Sequence, residues 1–145
     1  MSNECMNVLR IAVRNGGDTS QLKKLADDAR TEESVFDLSK LAPNELTRLC
    51  WNAEARSSDF VGGNYPSGIR YNFISKNAPP WEAFEALSKR FPDLVFECEY
   101  EETNEGFYGK FIYCGALGLN QDIEWAEKSW FGSDDPEEME EAKDY

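Results

Sequence analysis

The stretch PPWEAFEALSKRFPDLVFECEYEE, Pro79 to Glu102, constrains the fold more than any other part of the chain. Two prolines precede Trp81, Phe84, Leu87 and Phe91, which share one side of a helix. Pro92 then stops that helix, because proline has no amide donor and its ring clashes with the preceding turn. The period switches at once from helical to alternating: Leu94, Phe96, Cys98 and Tyr100 take one face, and Val95, Glu97, Glu99 and Glu101 take the other, expected to face water. Upstream, IRYNFIS (69–75) alternates as well, with Ile69, Tyr71, Phe73 and Ser75 on one side. Downstream, EETNEG makes a turn and FYGKFIYCG returns as a partner strand.

The N-terminal part carries the same kind of pattern. VLRIAVR (8–14) puts Leu9, Ile11 and Val13 on one face and its charges on the other, which predicts a half-buried strand. Asn15, Gly16 and Gly17 turn the chain, and Asp18 with Gln21 is spaced as a capping box for a helix burying Leu22, Leu25, Ala26 and Ala29. VFDL (35–38) reads as a second strand, and Pro43 as the first turn of a short helix carrying Leu46, Leu49 and Cys50. From Asn52 to Gly68 no period persists, which predicts a long loop.

The chain of 145 residues suits one domain, residues 1–120, with residues 121–145 as an acidic extension whose first half, DIEWAEKSWF, can form a helix docking Ile123, Ala126 and Trp130. The net charge is −13, and residues 121–145 alone hold ten acids against two lysines. Such charge opposes nucleic acid and anionic lipid and favours a protein partner with a basic surface. No run approaches the roughly 20 apolar residues of a membrane span. No signal-peptide pattern opens the chain, so a cytoplasmic protein with reduced thiols is expected.

Chemistry is constrained by absences of residue type. The chain contains no histidine, which removes Ser-His-Asp and Cys-His arrangements, and Cys5, Cys50, Cys98 and Cys114 include no CxxC pair. Neither phosphate-binding glycine motif occurs. Glu97, Glu99 and Glu101 sit about 6.5 to 7 Å apart along a strand, a spacing that could hold a hard cation only if other oxygens joined them. No catalytic residue, metal site or cofactor is expected. Cys98 is expected in the core as a small apolar group, and contact with Cys114 stays open. Trp51, Phe60 and Tyr65, in or beside the polar loop, are candidate interface anchors.

At this point the residues also look familiar. RYNFISKNAPPWEAFEALSKRFPDLVFECEYEETNEGFYGKF resembles the YubB-like family, small ferredoxin-like-domain proteins of plasmids and phages, best over Tyr71 to Gly109. The opening MSNECMNVLRI, with Cys5 and Asn7, is similar too. Where that family carries W-G-T-K-W, only Trp51 and Asn52 are reminiscent of it. The resemblance implies an α+β fold, a ferredoxin-like antiparallel sheet with helices packed on one face, and a mobile-element origin.

Charge and resemblance together give the expectation: a non-enzymatic phage or plasmid protein in a bacterial cytoplasm that binds and inhibits a nucleic-acid-handling defence complex, such as a CRISPR effector or restriction enzyme, by imitating phosphates. Contact is expected through Glu97, Glu99, Glu101, Glu102 and Glu105, helped by Asp134, Asp135, Glu137, Glu138, Glu140 and Glu141, with Trp51, Phe60 and Tyr65 as anchors. Reversing the strand acids to lysine is expected to abolish binding and leave stability nearly intact. The alternative is a structural or regulatory module that self-associates, as a homodimer, or binds another mobile-element protein through its sheet. A metal-dependent hydrolase using the acidic strand ranks third.

Overall fold

The computed structural model describes residues 4–45, 48–56, 68–102, 104 and 106–125. Its elements are β1 (Glu4–Val13), α1 (Ser20–Ala29), α2 (Leu38–Leu41), β2 (Cys50–Arg56), β3 (Gly68–Lys76), α3 (Trp81–Arg90), β4 (Leu94–Glu102), β5 (Phe107–Cys114) and β6 (Leu119–Trp125). They form one six-stranded sheet in the order β2-β3-β1-β4-β5-β6. Every neighbouring pair is antiparallel. β3 and β4 therefore run the same way, joined by α3, with β1 inserted between them.

That insertion explains the strict alternation of β1. Cys5, Asn7, Leu9, Ile11 and Val13 are all buried on the face that meets the helices, because strand side chains alternate between faces. Leu25 and Ala29 of α1, and Ala83, Phe84 and Leu87 of α3, close on the same core. Phe84 is its centre. Its ring centroid lies 6.5 Å from that of Phe36, 6.2 Å from Phe73, 6.4 Å from Phe96 and 5.5 Å from Phe111. One helical side chain thus packs against rings from β3, β4, β5 and the segment before α2.

Two corners fix the helices to the sheet. Arg14 donates its Nε to Asp93 Oδ1 at 2.7 Å, the Asp18 amide donates to Asp93 Oδ2 at 3.0 Å, and the Asp93 amide donates to Gln21 Oε1 at 3.0 Å. The start of α1 is thereby tied to the end of α3. Those two amide bonds push the design away from the capping box: Asp18 Oδ1 instead accepts from Ser20 N and Oγ, and Gln21 reaches across to Asp93. At the other corner a Cβ on Gly115 would run into the Ser88 carbonyl oxygen, so only glycine lets the β5–β6 turn approach α3 so closely.

Several expectations change. VFDL is no strand: Asp37 Oδ1 accepts from Ser39 N at 3.0 Å and Lys40 N at 3.3 Å and so starts α2 before Pro43, not after it. Phe36 enters the core instead, stacked on Tyr71 at 4.3 Å. Of the short helix expected after Pro43, Leu46 lies outside the described residues, Leu49 is exposed and Cys50 opens β2. The expected loop from Asn52 begins inside β2, whose alternation is hidden by a bulge between Trp51 and Glu54 with Asn52 at φ 56°. The helix expected from Asp122 is, as far as Trp125, the edge strand β6, so the sheet runs past residue 120. Ala126 and Trp130 lie outside the described residues.

Two outcomes follow from the core and the corner. Phe84→Ala removes the shared ring, and a loss of about 3 to 5 kcal/mol is expected in chemical denaturation. The carboxyl of Asp93 is held below its ordinary 3.8, first by the Asp18 amide and then by Arg14. A depressed carboxyl stabilises the fold above its unfolded value, and that contribution is lost as pH falls through the folded value. Asp93→Asn is therefore expected to lower Tm at pH 7, with the gap from wild type closing below pH 3.8 in a melting series.

Candidate interaction surface

No helix among the described residues packs on the second face of the sheet, formed by Arg70, Asn72 and Ile74 of β3, Met6, Val8, Arg10 and Ala12 of β1, Val95, Glu97, Glu99 and Glu101 of β4, and Tyr108, Lys110 and Ile112 of β5. Register decides what its acids touch. Arg10 stands opposite Glu97 on one side, and Lys110 stands opposite Glu99 on the other. Arg10 Nη1 lies 3.2 Å from Glu99 Oε1 and 4.0 Å from Glu97 Oε1, while Lys110 Nζ lies 3.9 Å from Glu97 Oε1. Two cations from flanking strands thus balance two carboxylates.

The side chains of that group are only 13% (Arg10), 18% (Glu97) and 20% (Glu99, Lys110) exposed, so these acids do not stand in water as the alternation alone suggested. Val95 is buried too, opposite Ala12. Burial is the main influence on Glu97 and raises its carboxyl above the ordinary 4.5, against the pull of Lys110 and then Arg10, with Glu99 adding to the rise. A raised carboxyl contributes stability below its unfolded value and loses it as pH rises through the folded one. Lys110 and Arg10 are what favour its ionised form against that burial.

The remaining expected contact residues divide sharply. Glu101 is half-buried on this face, opposite Met6 and Tyr108. Glu102 leaves the set: it has the parity of Tyr100, is 0% exposed, and accepts the Asn104 amide at 3.0 Å, so it cannot meet a partner at the surface. Trp51 sits in edge strand β2 opposite Ile74, partly buried. Phe60, Tyr65, Glu105, Asp134, Asp135, Glu137, Glu138, Glu140 and Glu141 lie outside the described residues.

Three thiols, of Cys5, Cys98 and Cys114, are buried, and that of Cys50 is partly so. Cys98 and Cys5 each direct Sγ at Asn7 Oδ1, at 3.8 and 3.9 Å, and burial pushes the Cys5 thiol to about 12 and the Cys98 thiol well up. Cys114 lies on the other side of the hairpin from Cys98, which is opposite Phe111, and donates to Pro92 O at 3.4 Å. Cys50 is likewise raised to about 12 by burial. Among the described residues no group of three or more Cys, Asp and Glu comes together to hold a metal. None of their helices is long and apolar enough to cross a membrane.

Two polar residues, Asn7 of β1 and Ser75 of β3, organise this end of the core. Asn7 Nδ2 donates to Ser75 Oγ at 2.9 Å, and Ser75 Oγ donates to the Ala78 carbonyl at 2.7 Å, pinning the turn before α3. Their signal was present in the alternation, which puts both on the apolar faces of their strands.

The ion-pair geometry revises the effect of charge reversal. Glu97→Lys sets a third cation beside Arg10 and Lys110 in a half-buried site, and about 2 kcal/mol or more of stability is expected to be lost. Glu101→Lys, at a position with no such pairing among the described residues, is expected to stay within about 0.5 kcal/mol of wild type. Urea denaturation of the two variants checks both values, and equal losses would contradict the pairing.

No curated protein matches the chain, and no solved structure does. Residues 50–144, more than half of the chain, match the ferredoxin-like domain in Api92-like protein. That description fits the antiparallel sheet with α3 bridging β3 and β4 across β1. The chain belongs to this family of ferredoxin-like domains.

Proposed function

We propose that the chain is a non-enzymatic protein of a phage or plasmid, YubB-like in kind, that acts in the bacterial cytoplasm. It binds the basic surface of a host nucleic-acid-handling defence complex, such as a CRISPR effector or a restriction enzyme, and inhibits it. The observation that carries this reading is where the charge lies. Of the net −13, residues 121–145 hold −8, whereas Glu97 and Glu99 are balanced by Arg10 and Lys110. The net negative charge that would steer a basic partner therefore lies chiefly in the C-terminal part of the sequence, with Glu101 on the sheet and Glu105 beside it in sequence as further candidates. The strand acids Glu97 and Glu99 serve the fold first, which narrows phosphate imitation to the other acids.

A second reading, a structural or regulatory module that self-associates or binds another mobile-element protein through its sheet, is favoured by Met6, 49% exposed on the second face of the sheet. Ionic strength separates the two, since an apolar sheet contact resists salt and a steered charged one does not.

The test is transformation of cells holding an active CRISPR or restriction system with a targeted plasmid, with and without the protein. Restored transformation is expected, and no change across both kinds of system would overturn the inhibitory reading. Replacing Asp134, Asp135, Glu137, Glu138, Glu140 and Glu141 by their amides is expected to weaken capture of the purified complex about tenfold at low salt. Glu4→Gln, at the exposed start of β1, is expected to leave it unchanged.

A further inference from the structure

An apolar row crosses three strands on the second face of the sheet. Trp51 of β2 stands opposite Ile74 of β3, and Ile74 stands opposite Met6 of β1. Val8 follows Met6 on the same face, two residues along β1. Met6 is 49% exposed, and Val8, Trp51 and Ile74 are partly buried. Leu49, 68% exposed, precedes Trp51 by two residues, and its carbonyl accepts the Lys76 amide at 2.9 Å, which continues the ladder beside β3. Tryptophan and methionine next to branched apolar side chains are what the centre of a protein interface is made of. No helix among the described residues packs on this row.

Charge decides which partner suits it. On this face strands β1, β3, β4 and β5 carry four acids, Glu4, Glu97, Glu99 and Glu101, and four bases, Arg10, Arg70, Lys76 and Lys110. Those four strands are therefore neutral here, and the other 24 acids and 11 bases of the chain hold all of its net −13. A charge of that size keeps copies of a chain apart wherever their acidic parts meet. A neutral face with an apolar row takes that repulsion out of the contact. A basic partner gains little from such a face, since its attraction lies with the acids elsewhere. The face suits a partner as acidic as the chain itself.

We propose that a second copy of this chain packs on this one face to face, about a two-fold axis, with Met6, Ile74 and Trp51 of each copy at the centre of the contact. The inference rests on the reading of a module that self-associates through its sheet, and it adds which face is used and which row anchors it. A two-fold contact sets the same surface on both sides, so equal numbers of acids and bases meet and no excess of either sign is buried. Each side chain of the row also counts twice, once from each copy.

Sedimentation equilibrium of the full chain over a concentration series, at low and at high salt, tests this. A dimer mass is expected at the upper concentrations, and high salt is expected to keep or favour it, because screening relieves the repulsion between two acidic chains. Met6→Glu sets a carboxylate on the row of both copies and is expected to weaken the dimer about a hundredfold. Met6→Ala adds no charge and is expected to weaken it about tenfold, so the test does not depend on the fold accepting a glutamate. Melting curves check that both variants stay folded. Leu117→Glu adds the same charge at a 51% exposed position in the β5–β6 turn, away from the row, and is expected to leave the dimer within about twofold. A monomer at every concentration would overturn the proposal and self-association with it. A dimer that dissolves as salt rises, or that Met6→Glu and Leu117→Glu weaken equally, would overturn this face while self-association itself stands.

Discussion

Everything in this fold depends on the insertion of β1 between β3 and β4. Each side of β1 carries a ladder nearly its whole length, from Glu4 to Ala12 with β3 and from Cys5 to Val13 with β4. A strand placed there must be apolar on the helix side throughout, and it must offer the other side something that its neighbours can pair. β1 does both: Leu9 and Ile11 enter the core, while Arg10 supplies the cation for two carboxylates of β4. The match to the family begins at residue 50, so the strand that joins the two halves of that matched region comes from outside it.

The same strand sets the electrostatics of the second face of the sheet. A row of three glutamates on one strand invites comparison with a row of phosphates, but a sheet brings its own counter-charges in register. Because Glu97 and Glu99 are mostly buried beside Arg10 and Lys110, their charge is taken up internally. Pairing of this kind adds little stability over apolar residues, but breaking it leaves a buried charge uncompensated. A strongly acidic composition is thus compatible with a sheet face close to neutral at its centre, with the excess carried by other parts of the chain.

The corner at Asp93 shows the same logic in another form. Gln21, which a capping box would turn back on the start of α1, instead accepts from the Asp93 amide, while the Asp93 carboxylate holds Arg14 and the Asp18 amide together. Tertiary demand overrides a local motif whenever one carboxylate can satisfy donors from two elements at once. Gly115 is the steric counterpart, a position where the nearness of α3 leaves no room for a Cβ.

The sequence by itself determined β1, β3, α3, β4 and β5, and with them the antiparallel sheet and the apolar positions Leu9, Phe84, Leu87 and Phe96, because periodicity is a local property that needs no partner to be read. Local reading failed where the deciding contact was distant. β2 was hidden by a bulge that only its ladder with β3 reveals, and β6 read as a helix although β5 holds it as a strand. Phe36 read as part of a strand until Tyr71 and Phe84 gave its ring a place in the core. Of the candidate contact residues, the placement of Glu97, Glu99 and Glu101 on the face away from the core was legible from alternation, and the burial of Glu102 was implicit in it. What only the tertiary structure decided is that Glu97 and Glu99 meet Arg10 and Lys110, since register between strands brings together charges up to about ninety residues apart in the chain.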